Sequence, residues 1–268
     1  MRAKTILRSI LCLAVLALAG GRASAADILI VSDPWCPYAC DPAGGQEGYM
    51  VEIARAAFGD AGLSVEYRVV NFQVMKRMMQ EGSATAVPGA STDMEGALIL
   101  PALPQGRSAN GVAQRRGHGF AFAGPESFAG QKLAVVREYN YGGALQDYVK
   151  AHQDDPVRIE VLGGFGYSQV PQGLRLVRGG GADLFMDDVN VLLWNIGRLR
   201  LAGEVEVVSL RDDQNLYLGF SRKAPKAAEH VRLFEQGLAR LRADGRLARI
   251  LANYGLTDWD GTAGSPSQ

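Results

Sequence analysis

Two periodicities alternate along the chain. Residues 28–31 form an unbroken apolar run, the pattern of a strand buried on both faces. Residues 48–58 place Val51, Ala54 and Phe58 on one helical stripe, with Gly62 beyond the end. Residues 65–70 alternate as a strand, and residues 71–80 read as a helix with Asn71 as its N-cap and Gly82 as its stop. A third short strand is predicted over 84–87. This spacing predicts a parallel sheet with helices on both faces. Prolines and glycines between Pro101 and Gly124 then break the pattern. It resumes with strands over 132–136, 157–162, 182–186 and 205–210, a helix around 144–151, a weak one near 174–177 and a firmer one over 189–199. A strand over 216–221, an amphipathic helix over 227–241 and a short helix over 247–254 complete the chain. The fold class is therefore α/β, in two lobes with a cleft between them, the usual place for a small ligand.

The 268-residue chain opens with Arg2, Lys4 and Arg8, an apolar run over 10–19 and the small-residue site Ala23-Ser24-Ala25. That is the pattern of a secretory signal cleaved after Ala25, and it is too short for a membrane-spanning helix. The mature protein is expected to be exported to the periplasm with 24 basic and 28 acidic residues, a net charge of −4. No basic excess points to a nucleic-acid partner. Cys36 and Cys40, the two cysteines left after cleavage, read as a disulfide in that compartment. So small a ring contributes about 2 kcal/mol and stiffens the loop around it. A thiol–redox motif would more often have two intervening residues and a helix N-terminus. The tail over 257–268 reads as flexible.

Catalytic motifs are sparse. His118, His152 and His230 lack partners at metal spacing, and no nucleophile elbow or phosphate loop is present, so neither a metal nor a cofactor is expected. Polar and aromatic residues instead gather at strand ends: Trp35 and Tyr38, Thr92 and Asp93, and Tyr139-Asn140-Tyr141. Asp187 and Asp188 end another strand, where a carboxylate either caps the following helix or holds a ligand ammonium. The aromatics are either loop packing or faces for an amine or a flat ligand.

At these residues the chain resembles the type II periplasmic solute-binding proteins of the polar amino-acid class, family 3. Pro37-Tyr38 followed by Gly48-Tyr49-Met50-Val51-Glu52-Ile53 is similar to the family's opening, and the run from Gly181 to Asp188 is similar to its G-x-x-D-A-x-x-x-D element. Gly237-Leu238, Asp244-Gly245, Ile250-Leu251 and Tyr254-Gly255 resemble its closing helices. The resemblance implies lobe I from residues 26–112 and 215–256, with lobe II, 113–214, inserted and hinge segments near 111–117 and 210–217. It implies a monomer that closes on a small polar ligand and presents it to an inner-membrane ABC permease or a sensor protein. It places the ammonium grip on Asp188 and a ligand-facing loop at Tyr139-Asn140-Tyr141.

One departure matters. Amino-acid binders carry T-x-x-R, whose arginine clamps the ligand carboxylate. Here Thr92-Asp93-Met94-Glu95 puts a carboxylate in that place. Arg107, Arg115 and Arg116 are candidate substitutes. The expectation is an amine-bearing or neutral polar ligand rather than a standard amino acid held in the usual way. The competing reading on the same scaffold is a cyclohexadienyl (prephenate) dehydratase-like enzyme with Glu95 as its acid.

Overall fold

The computed structural model describes residues 26–94, 96–137, 139–163 and 169–259. The expected export signal and Glu95 lie outside the described residues.

The first sheet begins with β1 (Ile28–Ser32), followed by α1 (Tyr49–Gly59), β2 (Val65–Val69), α2 (Phe72–Glu81) and β3 (Ala86–Ala90). β1 runs parallel to both β2 and β3. Asn71 caps α2, accepting the Val74 N–H at 2.9 Å, and Gly82 ends it in the left-handed conformation that glycine adopts without strain. β4 (Leu98–Ile99) and β5 (Gly106–Ser108) both pair antiparallel with a strand from far along the chain, β11 (Gln214–Ser221). The sheet order is β2-β1-β3-β11-β4, with β5 also on β11. α6 (Ala227–Ala243) and α7 (Arg246–Ala252) return to this lobe, α6 packing on α1.

The second sheet holds β6 (Asn110–Arg115), β7 (Leu133–Val136), β8 (Ile159–Leu162), β9 (Leu184–Asp188) and β10 (Val205–Ser209) in the order β10-β6-β9-β7-β8. α3 (Gly143–His152), α4 (Gln169–Arg178) and α5 (Val189–Arg198) connect its strands. Alternation along β9 shows how both faces are filled: Leu184 and Met186 join one core cluster, and Phe185 joins the other. In lobe I, Ile28, Ile30, Phe58, Phe220 and Phe234 are fully buried together. Each such side chain contributes about 1.5–3 kcal/mol.

The structure adds three strands that the sequence reading did not give, β4, β5 and β6. β5 and β6 lie in the stretch whose prolines and glycines read as irregular. Val112 and Ala113 are fully buried in mid-sheet, so tertiary pairing outweighs the local turn signals. The first crossover between sheets therefore falls at Ala109, ahead of the expected 111–117, and the second at 210–213. They lie side by side, the Asn110 N–H donating to Asp212 Oδ1 at 2.8 Å. Of the tail read as flexible, Asp258 and Trp259 contact Arg242, and residues 260–268 lie outside the described residues. Arg242 Nε lies 2.8 Å from Asp258 Oδ2, and its guanidinium sits 5.4 Å from the Trp259 ring.

Candidate ligand site between the lobes

The chain leaves β1 through Asp33 and Pro34 into a loop closed by the Cys36–Cys40 disulfide. Trp35 and Ala39 exchange backbone hydrogen bonds across it, at 2.7 and 3.0 Å. The loop presents two aromatic rings, Trp35 stacked on Tyr38 with centroids 4.0 Å apart. Gly89 lets the indole lie against β3, because a Cβ there would sit 2.8 Å from Trp35 Cζ3. Tyr38 is fully buried. Its Oη lies 2.9 Å from Asp188 Oδ1 in the other lobe and 2.9 Å from the Arg107 carbonyl, and it accepts from Asn190 Nδ2 at 2.9 Å. Burial, reinforced by the Asp188 charge, holds the phenol well above its ordinary pKa, so it remains a donor.

Asp188 is the residue on which the resemblance places the ammonium grip. Its Oδ1 accepts from Tyr38 Oη and from the Val191 N–H at 3.0 Å, which makes it the N-cap of α5. Its Oδ2 accepts from Ser108 Oγ at 2.7 Å and from the Ala109 N–H at 3.2 Å. A carboxylate has about four acceptor positions. All four are taken by the protein, so Asp188 as placed offers none to a ligand. Burial raises its pKa, and these hydrogen bonds oppose the rise.

Asp187 is the uncommitted carboxylate. It is 2% exposed; Oδ1 accepts the Asp188 N–H at 2.7 Å, and Oδ2 has no hydrogen-bond partner. Burial pushes its pKa up to about 8, the neighbouring Asp188 charge adding to the rise and the Asp188 N–H opposing it, so the group is mostly neutral at pH 7. In lobe I, burial also raises the pKa of Asp33. Both carboxyls lie near the Tyr139 phenol, whose pKa is raised first by desolvation, then by Asp187 and Asp33 once they ionise.

The residues Tyr139, Asn140 and Tyr141, between β7 and α3, have different roles. Tyr141 is buried, its Oη accepting the Val136 N–H at 2.8 Å, and its ring belongs to the core of lobe II. Asn140 is exposed and closes a turn by accepting the Gly142 N–H at 3.1 Å. Tyr139 is 40% exposed and faces the other lobe. Thr92 and Asp93 lie in an exposed single turn after β3, where Asp93 accepts from Ser91 Oγ. These contacts describe the residues as they are placed. The hydroxyls of Tyr38 and Tyr141 are hydrogen-bonded within the protein, and Asp188 bridges the two lobes through Tyr38.

Open space lies to one side of this anchor. A cavity of about 410 Å³ is walled by Trp35, Asp41 and Gln46 from lobe I and by Tyr139, Trp194 and Arg198 from lobe II. Trp35 and Tyr139 stood out in the sequence, whereas Trp194 and Arg198 did not. They sit four residues apart on α5, hence on one helix face, and that spacing was the available signal. Trp194 also packs on Tyr254 of lobe I, with ring centroids 5.5 Å apart, and its buried Nε1 has no partner. Among the described residues, no group of three His, Cys, Asp or Glu side chains could hold a metal ion.

No family model and no curated protein matches the sequence. Solved structures do match. A histidine kinase sensor domain with similarity to periplasmic binding proteins is 24% identical, with a TM-score of 0.65 over 86% of this chain and 97% of that one. A protein from work on glutathione import via GshT and the cystine ABC importer TcyBC of Streptococcus mutans is 16% identical, with a TM-score of 0.68 over 86% and 95%. An ancestral arginine-binding protein bound to arginine is also 16% identical, with a TM-score of 0.64 over 85% and 97%. The likeness spans both lobes and is one of architecture, and the chain has the two-lobed fold of the type II periplasmic binding proteins.

Proposed function

We propose that this protein is an exported solute-binding protein that closes on a small polar ligand and hands it to an inner-membrane ABC permease. The observation that carries this reading is the cavity whose walls come from both lobes, in a chain that, among the described residues, crosses between its two sheets at 109 and at 210–213. Two adjacent crossovers permit hinge motion, and a ligand touching both walls favours the closed state by its extra contacts there. The fold shared with binding proteins of amino-acid and glutathione importers supports the reading. The amine preference expected from the sequence loses its main support, because the oxygens of Asp188 are already taken.

A thermal-shift screen over amines, amino acids, organic acids and small peptides, followed by X-ray scattering on each hit, tests the proposal. A ligand that raises the melting temperature and lowers the radius of gyration supports it. If no compound does both, the reading fails. Export is tested by the mass of the purified mature chain, expected to begin at Ala26. The histidine kinase sensor domain among the structural matches favours a second reading, in which the partner is a membrane sensor. Capture of the closed protein by a kinase rather than a permease would select it. Turnover of prephenate would select the dehydratase-like alternative instead.

A further inference from the structure

The sequence lacks the lobe I arginine that clamps a ligand carboxylate in the family it resembles, and the structure shows that two of the three candidate substitutes are committed elsewhere. Arg115 donates to the carbonyls of Val177 and Ala182, at 2.9 and 3.2 Å, and lies 3.5 Å from Asp183. Arg116 donates to the Ala202 carbonyl at 2.8 Å and pairs with Glu206. Both are thus tied within lobe II. The third, Arg107, faces a separate cavity of about 250 Å³, beside Leu256 and Trp259.

Arg198 differs from all three. It lies in the last turn of α5 on the wall of the interlobe cavity, and among the described residues no hydrogen bond or ion pair engages its guanidinium. One turn back on the same face is Trp194, whose buried Nε1–H also has no acceptor. The Arg198 guanidinium is exposed on the cavity wall and free to pair with an anion from outside the protein, whereas Trp194 offers the cavity its ring, its Nε1–H being buried. The remaining wall combines rings and apolar groups with the amides of Gln46 and Asn195. Trp35 faces in from lobe I and Tyr139 from lobe II, with Pro34 and Pro171 beside them.

The charges on the wall limit the ligand further. Among the described residues Asp41 is the one carboxylate lining the cavity, and it caps the turn after it, accepting the Ala43 N–H at 2.9 Å. With one cation and one anion on the wall, a single negative charge placed at Arg198 is compensated, whereas a dianion would leave one charge unpaired. A cavity of about 410 Å³ is within the usual range for small-molecule sites.

We infer that this cavity binds an aromatic monocarboxylic acid, its carboxylate on Arg198 and its ring between Trp35, Tyr139 and Trp194. The inference rests on the ligand-binding reading above and names the class of ligand. An amino group on the ligand is not required, since Asp188 is committed and Asp187 is sealed.

Calorimetry with three indoles tests this on the mature protein: indole-3-propionate, tryptamine and tryptophan carry the carboxylate, the amine and both. The acid is expected to bind and tryptamine to fail. Arg198→Gln should weaken the acid at least tenfold while leaving the melting temperature of the free protein unchanged, and Arg198→Lys should restore part of the loss. Trp194→Phe, which keeps the ring and removes the N–H, should weaken it less. The inference is overturned if indole-3-propionate, 3-phenylpropionate and benzoate all fail to bind, if tryptamine binds more tightly than the acid, or if Arg198→Gln leaves acid binding intact. In each case a different hit in the wider screen would leave the uptake reading standing. Only a screen without any hit removes both.

Discussion

Tyr38 Oη and Asp188 Oδ1 meet at 2.9 Å across the lobe boundary, although 150 residues separate them in the chain. The same hydroxyl accepts from Asn190 at the start of α5, and the same carboxylate caps that helix. Tyr38→Phe keeps the ring stack on Trp35 but deprives Asp188 of one donor and Asn190 of its acceptor. The expected loss is about 1–3 kcal/mol of stability, read from urea unfolding. The lobes should also open further in X-ray scattering. An unchanged scattering profile would show that this bond does not hold them together.

The neighbouring carboxylate makes stability depend on pH. Asp187 titrates at about 8 in the folded protein, against about 3.9 in an unfolded chain. Between these values the folded state retains a proton that the unfolded state has released. Its contribution is therefore greatest below about pH 4, falls as pH rises through the window, and levels off above about pH 8. The slope is at most about 1.4 kcal/mol per pH unit. Asp187→Asn keeps the group neutral and should remove this slope. Urea unfolding of both proteins across the window measures the difference, and parallel curves would mean that Asp187 titrates normally.

The disulfide stiffens the loop that carries both Trp35 and Tyr38. Cys36 and Cys40 are 7% and 4% exposed, so reduction requires the loop to open. The Cys36→Ser, Cys40→Ser double variant should lose about 2 kcal/mol, or a melting temperature lower by roughly 4–8 °C for a chain of this size. Ligand affinity should fall as well, because Trp35 is freed. Calorimetric scans and titrations on the variant check the two effects separately.

Gly237 lies where α6 crosses α1. A Cβ at this position would sit 2.6–2.7 Å from Cβ, Cα and the carbonyl oxygen of Ala57. Gly237→Ala therefore forces the helices apart, at an expected cost of about 1–3 kcal/mol in unfolding free energy. A stabilised variant would show that helix propensity outweighs contact here.

Most of the order of elements was legible because those elements rest on local signals, whereas β4, β5 and β6, held by distant pairing, were not. The Asn71 cap and Gly82 stop of α2, the apolar run of β1 and the inward stripe of α6 all lie within a few residues. The site was less legible. Asp188 carried two readings in the sequence, helix cap or ligand grip, and the deciding partners, Tyr38 and Ser108, lie 150 and 80 residues away. Resemblance favoured the grip, but the geometry supplies four protein donors. Trp194 and Arg198 went unremarked because an amphipathic helix explains them equally well until the opposite lobe is in place. Asp187 is distinguished only by what fails to reach its Oδ2.

The position of β11 sets the order in which the chain can be completed. This strand lies in the middle of the lobe I sheet, between β3 and β4, and is made of residues 214–221. During synthesis β1, β2 and β3 emerge first but cannot close their sheet until the whole of lobe II has left the ribosome. All strands and helices of lobe II, in contrast, lie within residues 110–209. The later lobe can therefore mature first, while the earlier one waits with the edge of β3 exposed and in need of protection from aggregation.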